Sequence, residues 1–190
     1  MVNLFDNYYN SAPRHNVFVS YHHANDEHYK YQFVQMFSNV LKGFTSKSVE
    51  VGDINPLISV DSIRNNIRDN FIRDASVTIV LVGTETWKRK HVDWEISGSI
   101  RRTQLNSRCG LLGILLPSHP SYGGQNYDGG IVPPRLVMNQ ACGFAEIYDW
   151  TDNVVSLKSW IHSAYERRTR IEPDNSYPHF KYNKNGERWK

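Results

Sequence analysis

The segment SVTIVLVGTETWKRKHVDWEISGSI, Ser76 to Ile100, decides the fold. Its β-branched run from Val77 to Val82 has the length and composition of a fully buried strand. A short polar loop follows, and from about His91 onward Val92, Ile96 and Ile100 recur at helical spacing. A buried strand that passes through a loop into a helix is the start of a β-α-β unit. Glu95 then sits in the first turns of a helix, beside the carboxyl end of a strand. In an open α/β sheet that end is the rim where ligands bind, because the loops there converge on a crevice.

The alternation continues on both sides. NVFVS (Asn16–Ser20) reads as a short buried strand, and Asn25 or Asp26 is predicted to cap a helix with Tyr29, Phe33, Met36, Phe37, Val40, Leu41 and Phe44 on one face. Lys47 to Val51 is a second, weaker strand. Beyond the Gly52 to Pro56 loop, Asp61 or Ser62 is expected to cap a helix whose Ile63, Ile67 and Phe71 recur at a stride of four. A fourth strand is predicted at Leu111 to Leu116, a fifth at Phe144 to Tyr148, and a final helix over Asn153 to Thr169 with Val154, Leu157, Ile161 and Ala164 inward. The fold class is α/β, a flavodoxin-like parallel sheet of five strands in the order 2-1-3-4-5 with helices on both faces. The loop from Pro117 to Pro134 exceeds the usual connection length, which marks it as functional or mobile.

A chain of 190 residues with 39% hydrophobic content buries one good core and is short for two. One domain over residues 16–170 is expected, preceded by an arm at 1–15 and followed by a basic aromatic tail at 171–190. No apolar run approaches the roughly 20 residues needed to cross a bilayer, and the amino end lacks the basic start and apolar stretch of a secretory signal. These features predict a soluble cytoplasmic protein without a membrane partner. Cys109 and Cys142 lie in or beside apolar segments, where buried free thiols are the ordinary outcome in a reducing compartment.

The net charge is +3, and its excess is at the carboxyl end: from Lys158 onward there are eight Lys and Arg against four Asp and Glu. There Tyr177, Phe180, Tyr182 and Trp189 interleave with Lys181, Lys184, Arg188 and Lys190, a mixture suited to stacking bases and contacting phosphates. No groove-reading motif accompanies the patch, so a tail draped over its own domain is the favoured reading and nucleic acid the weaker one.

The first strand ends in Ser20, Tyr21, His22 and His23; the third ends in Gly83, Thr84, Glu85, Thr86 and Trp87. Both groups fall where the crevice belongs, and their hydroxyls, carboxylate and flat rings suit a nucleoside or dinucleotide. The chain has no GxGxxG after the first strand, no GxxxxGK[ST] and no GxSxG, so Rossmann, P-loop and hydrolase-elbow chemistry lack their parts.

VFVSYHH (Val17 to His23), VTIVLVG (Val77 to Gly83) and HVDWEISGSI (His91 to Ile100), in this order, resemble the first box, third strand and catalytic-helix region of TIR domains. The closest similarity is to the bacterial branch of the Thoeris antiphage system, and the amino-terminal NLFDNYYN and the GGQNYDGG loop share it. What the resemblance implies is cleavage of NAD at the nicotinamide–ribose bond, with NAD as substrate and no cofactor. The helix glutamate essential in such enzymes matches Glu95 in the triplet Trp94 to Ile96. As nicotinamide leaves, the ribose acquires oxocarbenium character that a nearby carboxylate stabilises. If water is excluded, an atom of the same ligand attacks instead and a cyclic ADP-ribose-type product forms. The resemblance further implies a diffusible nucleotide signal acting on an NAD-consuming effector, a phage-derived trigger, and self-association into a homo-oligomer. The expected ligand-binding residues are Ser20, Tyr21, His22, His23, Thr84, Trp87 and His91. The chain departs from the family where basic residues commonly follow the Ser-Tyr pair, since His22 and His23 stand there, and where His91 replaces a Trp four residues before the glutamate. An unperturbed imidazole is mostly uncharged at neutral pH, which predicts low basal affinity for NAD and a site silent until triggered.

Blander readings stand beside these. A lone Glu in the first helical turns is usually a solvated residue favoured by the helix dipole. Glu85, in the loop directly after the strand, is the rival carboxylate. His22 and His23 lack a third partner at metal-ligand spacing, so no metal site is expected. Trp87 and Trp94 are as a class more often packing residues than base platforms. The alternative function is a TIR-like interaction module without catalysis. A receiver or flavin protein of the same topology is disfavoured, because neither paired acids nor a hydroxyl-rich phosphate loop follows the first strand.

Overall fold

A computed structural model describes residues 13–38, 43–45 and 58–190. Five parallel strands, β1 (Asn16–Ser20), β2 (Gly43–Thr45), β3 (Val77–Val82), β4 (Gly110–Leu115) and β5 (Ala145–Asp149), form one sheet in the order β2-β1-β3-β4-β5. Val17 of β1 pairs with Val77, and Val77 with Gly110, so the central strands run in step. Every residue of β3 and of β4 is buried, as strands covered on both faces require.

One face is covered by α1 (His23–Phe37) and α5 (Val154–Arg170), which bring Phe33, Phe37, Leu157, Ile161 and Ala164 onto Val17, Val19, Ile79, Leu81, Leu112 and Ile114. The other is covered by α2 (Val60–Asn66), α3 (Lys90–Ser99) and α4 (Pro134–Ala141), the last two packing Val92, Ile96, Ile100 and Leu136 onto Val80, Val82, Leu111 and Leu115. Strand residues alternate between these layers, which is why β3 is apolar on both faces but for the buried Thr78. Gly110 has α5 directly against it: a Cβ there would meet the Ala164 carbonyl oxygen at 2.1 Å.

Several expected boundaries move. α1 starts at His23 straight off β1, with His22 at its N-cap and no side-chain cap, so neither Asn25 nor Asp26 caps it. Asp26 instead faces inward at 2% exposure. α1 ends at Phe37 with Met36 partly exposed, and Phe44 belongs to β2 rather than to the helix. Val40, Leu41, the Lys47 to Val51 strand and the Gly52 to Pro56 loop lie outside the described residues. Ser59, not Asp61 or Ser62, caps α2, its Oγ accepting from the Ser62 amide at 3.1 Å. A wider helical turn over Ile67–Phe71 then carries α2 on toward β3. The segment between the long loop and β5 holds a helix, α4, with Pro134 in its first turn. Cys142 is exposed just past the end of α4, whereas Cys109 is buried; both are free thiols.

Candidate functional site

The strand order reverses direction between β1 and β3, and the loops leaving their carboxyl ends part there. Ser20 ends β1. From its place on α3, Glu95 reaches across to it, and the Ser20 hydroxyl donates to Glu95 Oε2 at 2.6 Å, inside the range for a hydroxyl on a carboxylate. Both are buried, Glu95 at 1% exposure. The two sequence segments, 75 residues apart, therefore meet at one point of the crevice.

The other residues expected there divide into two groups. Tyr21 is buried and stacks on His23 with ring centroids 4.5 Å apart and planes 4° from parallel. Burial pushes the Tyr21 phenol up to about 12. His22 is buried, and burial with the Arg89 guanidinium nearby lowers its imidazole to about 4, so it is neutral at pH 7. Its Nδ1 has no hydrogen-bond partner among the described residues. Glu85 stands at the rim, partly exposed, and its carboxylate takes Lys88 at 2.8 Å and Arg89 at 3.0 Å. The hydrogen bond from Lys88 holds that carboxyl below the usual range, with Arg89 and His22 adding to the effect. His22, Glu85, Lys88 and Arg89 thus form one polar corner of the crevice.

Thr84, Trp87 and His91 are oriented elsewhere. The Thr84 hydroxyl donates to the Ser118 carbonyl at 3.0 Å, tying the β3 loop to the segment after β4. Trp87 is 2% exposed, with the Lys88 ammonium 5.4 Å from its ring centroid, so it is a packing residue in this conformation. His91 meets the edge of Trp94 at 5.9 Å.

Asp26 is the residue that sequence reading missed. Its carboxylate accepts from the Thr86 hydroxyl at 3.2 Å, and the Thr86 oxygen accepts in turn from the Gly83 amide at 2.8 Å. A Cβ on Gly83 would lie 2.4 Å from both Asp26 oxygens, so a side chain at 83 and a carboxylate at 26 exclude each other. Burial raises the Asp26 pKa, opposed by the Thr86 hydrogen bond. The pairing of an inward Asp in the first helical turn with a Gly just after β3 is a faint signal, since either residue alone has a commoner explanation.

The sequence model of the family described as Thoeris protein ThsB, TIR-like domain, matches residues 18–121. The chain belongs to this family. A search of curated proteins gives no match. The matched region of the ThsB TIR-like domain contains Ser20 to His23, Asp26, Glu85 and Glu95, and it ends in the loop after β4. The carboxyl-terminal third, including α4, α5 and the tail, lies beyond it.

That carboxyl-terminal part grips α3 from the side away from Ser20. Asp93 is 3% exposed and Arg135, on α4, is fully buried; Arg135 Nε donates to Asp93 Oδ1 at 3.0 Å. The same guanidinium donates to Asn175 Oδ1 at 2.7 Å and to the Tyr177 carbonyl at 2.9 Å, while the Phe180 amide donates to Asp93 Oδ2 at 3.0 Å. Asn175 donates to the Ser97 carbonyl, Trp94 Nε1 donates to the Phe180 carbonyl at 2.7 Å, and the Lys90 amide donates to Asn183. Burial raises the Asp93 pKa and the Arg135 charge opposes it. The basic aromatic tail is a strap along the helix that carries Glu95, as its draped reading anticipates. An Arg inside the apolar run IVPPRLVM was the one signal available for Arg135.

Several clefts open elsewhere among the described residues, two of them beside elements already named. One, of about 410 Å³, lies between the Ser121 to Tyr127 loop and the ends of β4 and β5. The other, of about 720 Å³, lies between α2, the start of α3 and the tail. Glu95 lines neither. The loop between β4 and α4 is held by internal hydrogen bonds, including Ser121 N to His119 Nδ1 and Asp128 N to Ser121 Oγ. Among the described residues no three His, Cys, Asp or Glu are placed to hold a metal ion, and no helix is long and apolar enough to cross a membrane.

Proposed function

We propose that this ThsB-family protein cleaves NAD at the nicotinamide–ribose bond after a phage-derived trigger, with Glu95 as the carboxylate that stabilises the ribose cation. The observation that supports the reading is the Ser20–Glu95 contact, which brings Glu95 to the end of β1 within the region that the family matches. A hydroxyl on Glu95 stands in the place a ribose hydroxyl takes when substrate arrives. In the resting arrangement Ser20 shields the carboxylate, and a neutral His22 supplies no cation for a phosphate. Both properties fit an enzyme that is inactive until the crevice opens. The product is then a cyclic ADP-ribose-type signal for an NAD-consuming effector, made where closure keeps water from the ribose.

A second reading is favoured by one observation: Glu85 is the solvent-reachable carboxylate of the crevice and Glu95 is not. On that reading Glu85 touches the ligand and Glu95 holds Ser20. The non-catalytic interaction module remains the alternative to both. Product analysis by mass spectrometry separates activity from scaffold. Full-length protein incubated with NAD in lysate from infected cells is expected to release nicotinamide and a cyclic product, with far less in uninfected lysate. Undiminished NAD under every trigger tried, with an effector still activated by contact, would establish the interaction module.

A further inference from the structure

The cleft of about 720 Å³ between α2, α3 and the tail has the character of a small-molecule site separate from the strand-end crevice. Its lining includes Trp94, His179, Phe180, Tyr182, Lys90 and Lys181 and, among the described residues, no Asp or Glu. We propose that it binds a nucleotide, the base lying between His179 and Tyr182, which the buried Trp94 and Phe180 support from behind, and the phosphate meeting Lys90 and Lys181. The proposal does not rest on catalysis at Glu95.

Three features of the cleft support that ligand class. First, its wall is ordered and flat. His179 stacks on Trp94 with planes 5° from parallel and centroids 5.2 Å apart, and Trp94 is fixed by its bond to the Phe180 carbonyl. Tyr182, 80% exposed, stands free at the edge to close over a base. Second, the charge is uncompensated. Among the described residues neither Lys90 nor Lys181 makes an ion pair, while Lys90 lies over the Trp94 ring at 5.2 Å and Lys184 over the Phe180 ring at 4.8 Å. Burial first, then the charges of Arg64 and Arg135, lower the His179 imidazole to about 3, so that ring is neutral in the wall. Third, His179 Nε2 is buried without a hydrogen-bond partner among the described residues. A small rotation of the half-buried His179 ring on binding would bring that nitrogen to a base or ribose hydroxyl, the group that satisfies it. The composition of the tail thereby acquires a use: interleaved Lys and aromatic residues become the floor and rim of one pocket.

Calorimetric titration of the full-length protein with AMP, adenosine and a short oligoadenylate tests this. AMP is expected to bind about tenfold more tightly than adenosine, the difference a charge-assisted phosphate contact makes. Lys181→Glu is expected to weaken AMP by tenfold or more, and Tyr182→Ala by about tenfold, the size of one lost base–aromatic stack. Both residues are exposed, so the variants fold. Glu95→Gln leaves the affinity unchanged, which distinguishes this pocket from the crevice. Oligoadenylate binding that exceeds AMP and falls steeply with salt makes a nucleic-acid strand the natural source of the base and phosphate; equal or weaker binding makes it a free nucleotide. Absence of AMP binding at millimolar concentration, or binding that neither Lys181→Glu nor Tyr182→Ala alters, overturns the proposal.

Discussion

Asp93 and Glu95 lie two residues apart on the same helix, both almost wholly buried, and their surroundings could hardly differ more. Asp93 faces a guanidinium, a backbone amide and the strap formed by the tail. Glu95 faces a serine hydroxyl at the end of a strand, where the loops part. A charge surrounded by fixed donors of its own fold has a structural duty, because removing a partner strands the other. A carboxylate that takes a serine hydroxyl at the end of a strand holds a contact of the kind that, on the function proposed above, a ribose hydroxyl would replace. The same helix is anchored on one side and turns a carboxylate toward the strand ends on the other.

The largest effect should come from the anchored side. Arg135→Met leaves Asp93 buried beside an apolar side chain and is expected to cost about 3 to 5 kcal/mol. In a chain of this size that lowers Tm by roughly 10 °C or more. Thermal unfolding of the variant measures it, and a loss below about 1 kcal/mol would mean that the strap does not anchor α3.

Next comes Gly83→Ala, which drives a methyl group into the Asp26 carboxylate. Overpacking of this kind costs about 1 to 3 kcal/mol. If the clash is the cause, Asp26→Ala made in the same chain recovers part of the loss, and the double variant is more stable than the two single losses predict. Additive losses would show that Gly83 is needed for another reason.

A smaller effect concerns pH. His15 and His22 are held at about 4 and His179 at about 3, against about 6.5 for an unfolded chain. Folded-state values that are depressed mean the unfolded chain takes up these protons first. The contribution of the three imidazoles is therefore complete above about pH 6.5 and is lost as pH falls toward 4. Urea midpoints measured across this window should decline, and His22→Gln should flatten the decline while leaving the midpoint at pH 7 nearly unchanged. The smallest effect belongs to Glu85→Gln, a partly exposed carboxylate at the rim: a change of stability within about 1 kcal/mol is expected.

The legible parts of the fold were those set by local pattern. The run Val77 to Val82 and the stride Val92, Ile96, Ile100 place β3 and α3 on composition and period, and the ends of β1 and β3 follow from them. α4 begins at Pro134, where the predicted Gly- and Pro-rich loop ends, and residues 135–143 carry no predicted element; a proline in the first turn is nevertheless a normal helix start. Sequence pattern offers Asn25 or Asp26 as a cap because such residues early in a helix usually are one, whereas the burial of Asp26 depends on a missing Cβ some 57 positions away at Gly83. The Asp93–Arg135 pair spans 42 residues and leaves no periodic trace. At the crevice, residue types at the strand ends indicated where Ser20, His22, Glu85 and Glu95 would gather, but which of the carboxylates would be covered and which exposed is a matter of side-chain packing.

The measurement that bears most directly on the comparison is cyclic-product formation from NAD by triggered wild-type, Glu95→Gln and Glu85→Gln proteins, each shown to unfold at its expected temperature. Gln keeps the shape of the side chain and removes the charge, so Glu95→Gln should retain the fold and lose product by about a hundredfold or more, while Glu85→Gln keeps a substantial fraction. Full product from Glu95→Gln, with loss in Glu85→Gln, would move the chemistry to the rim and leave Glu95 a buried support for Ser20.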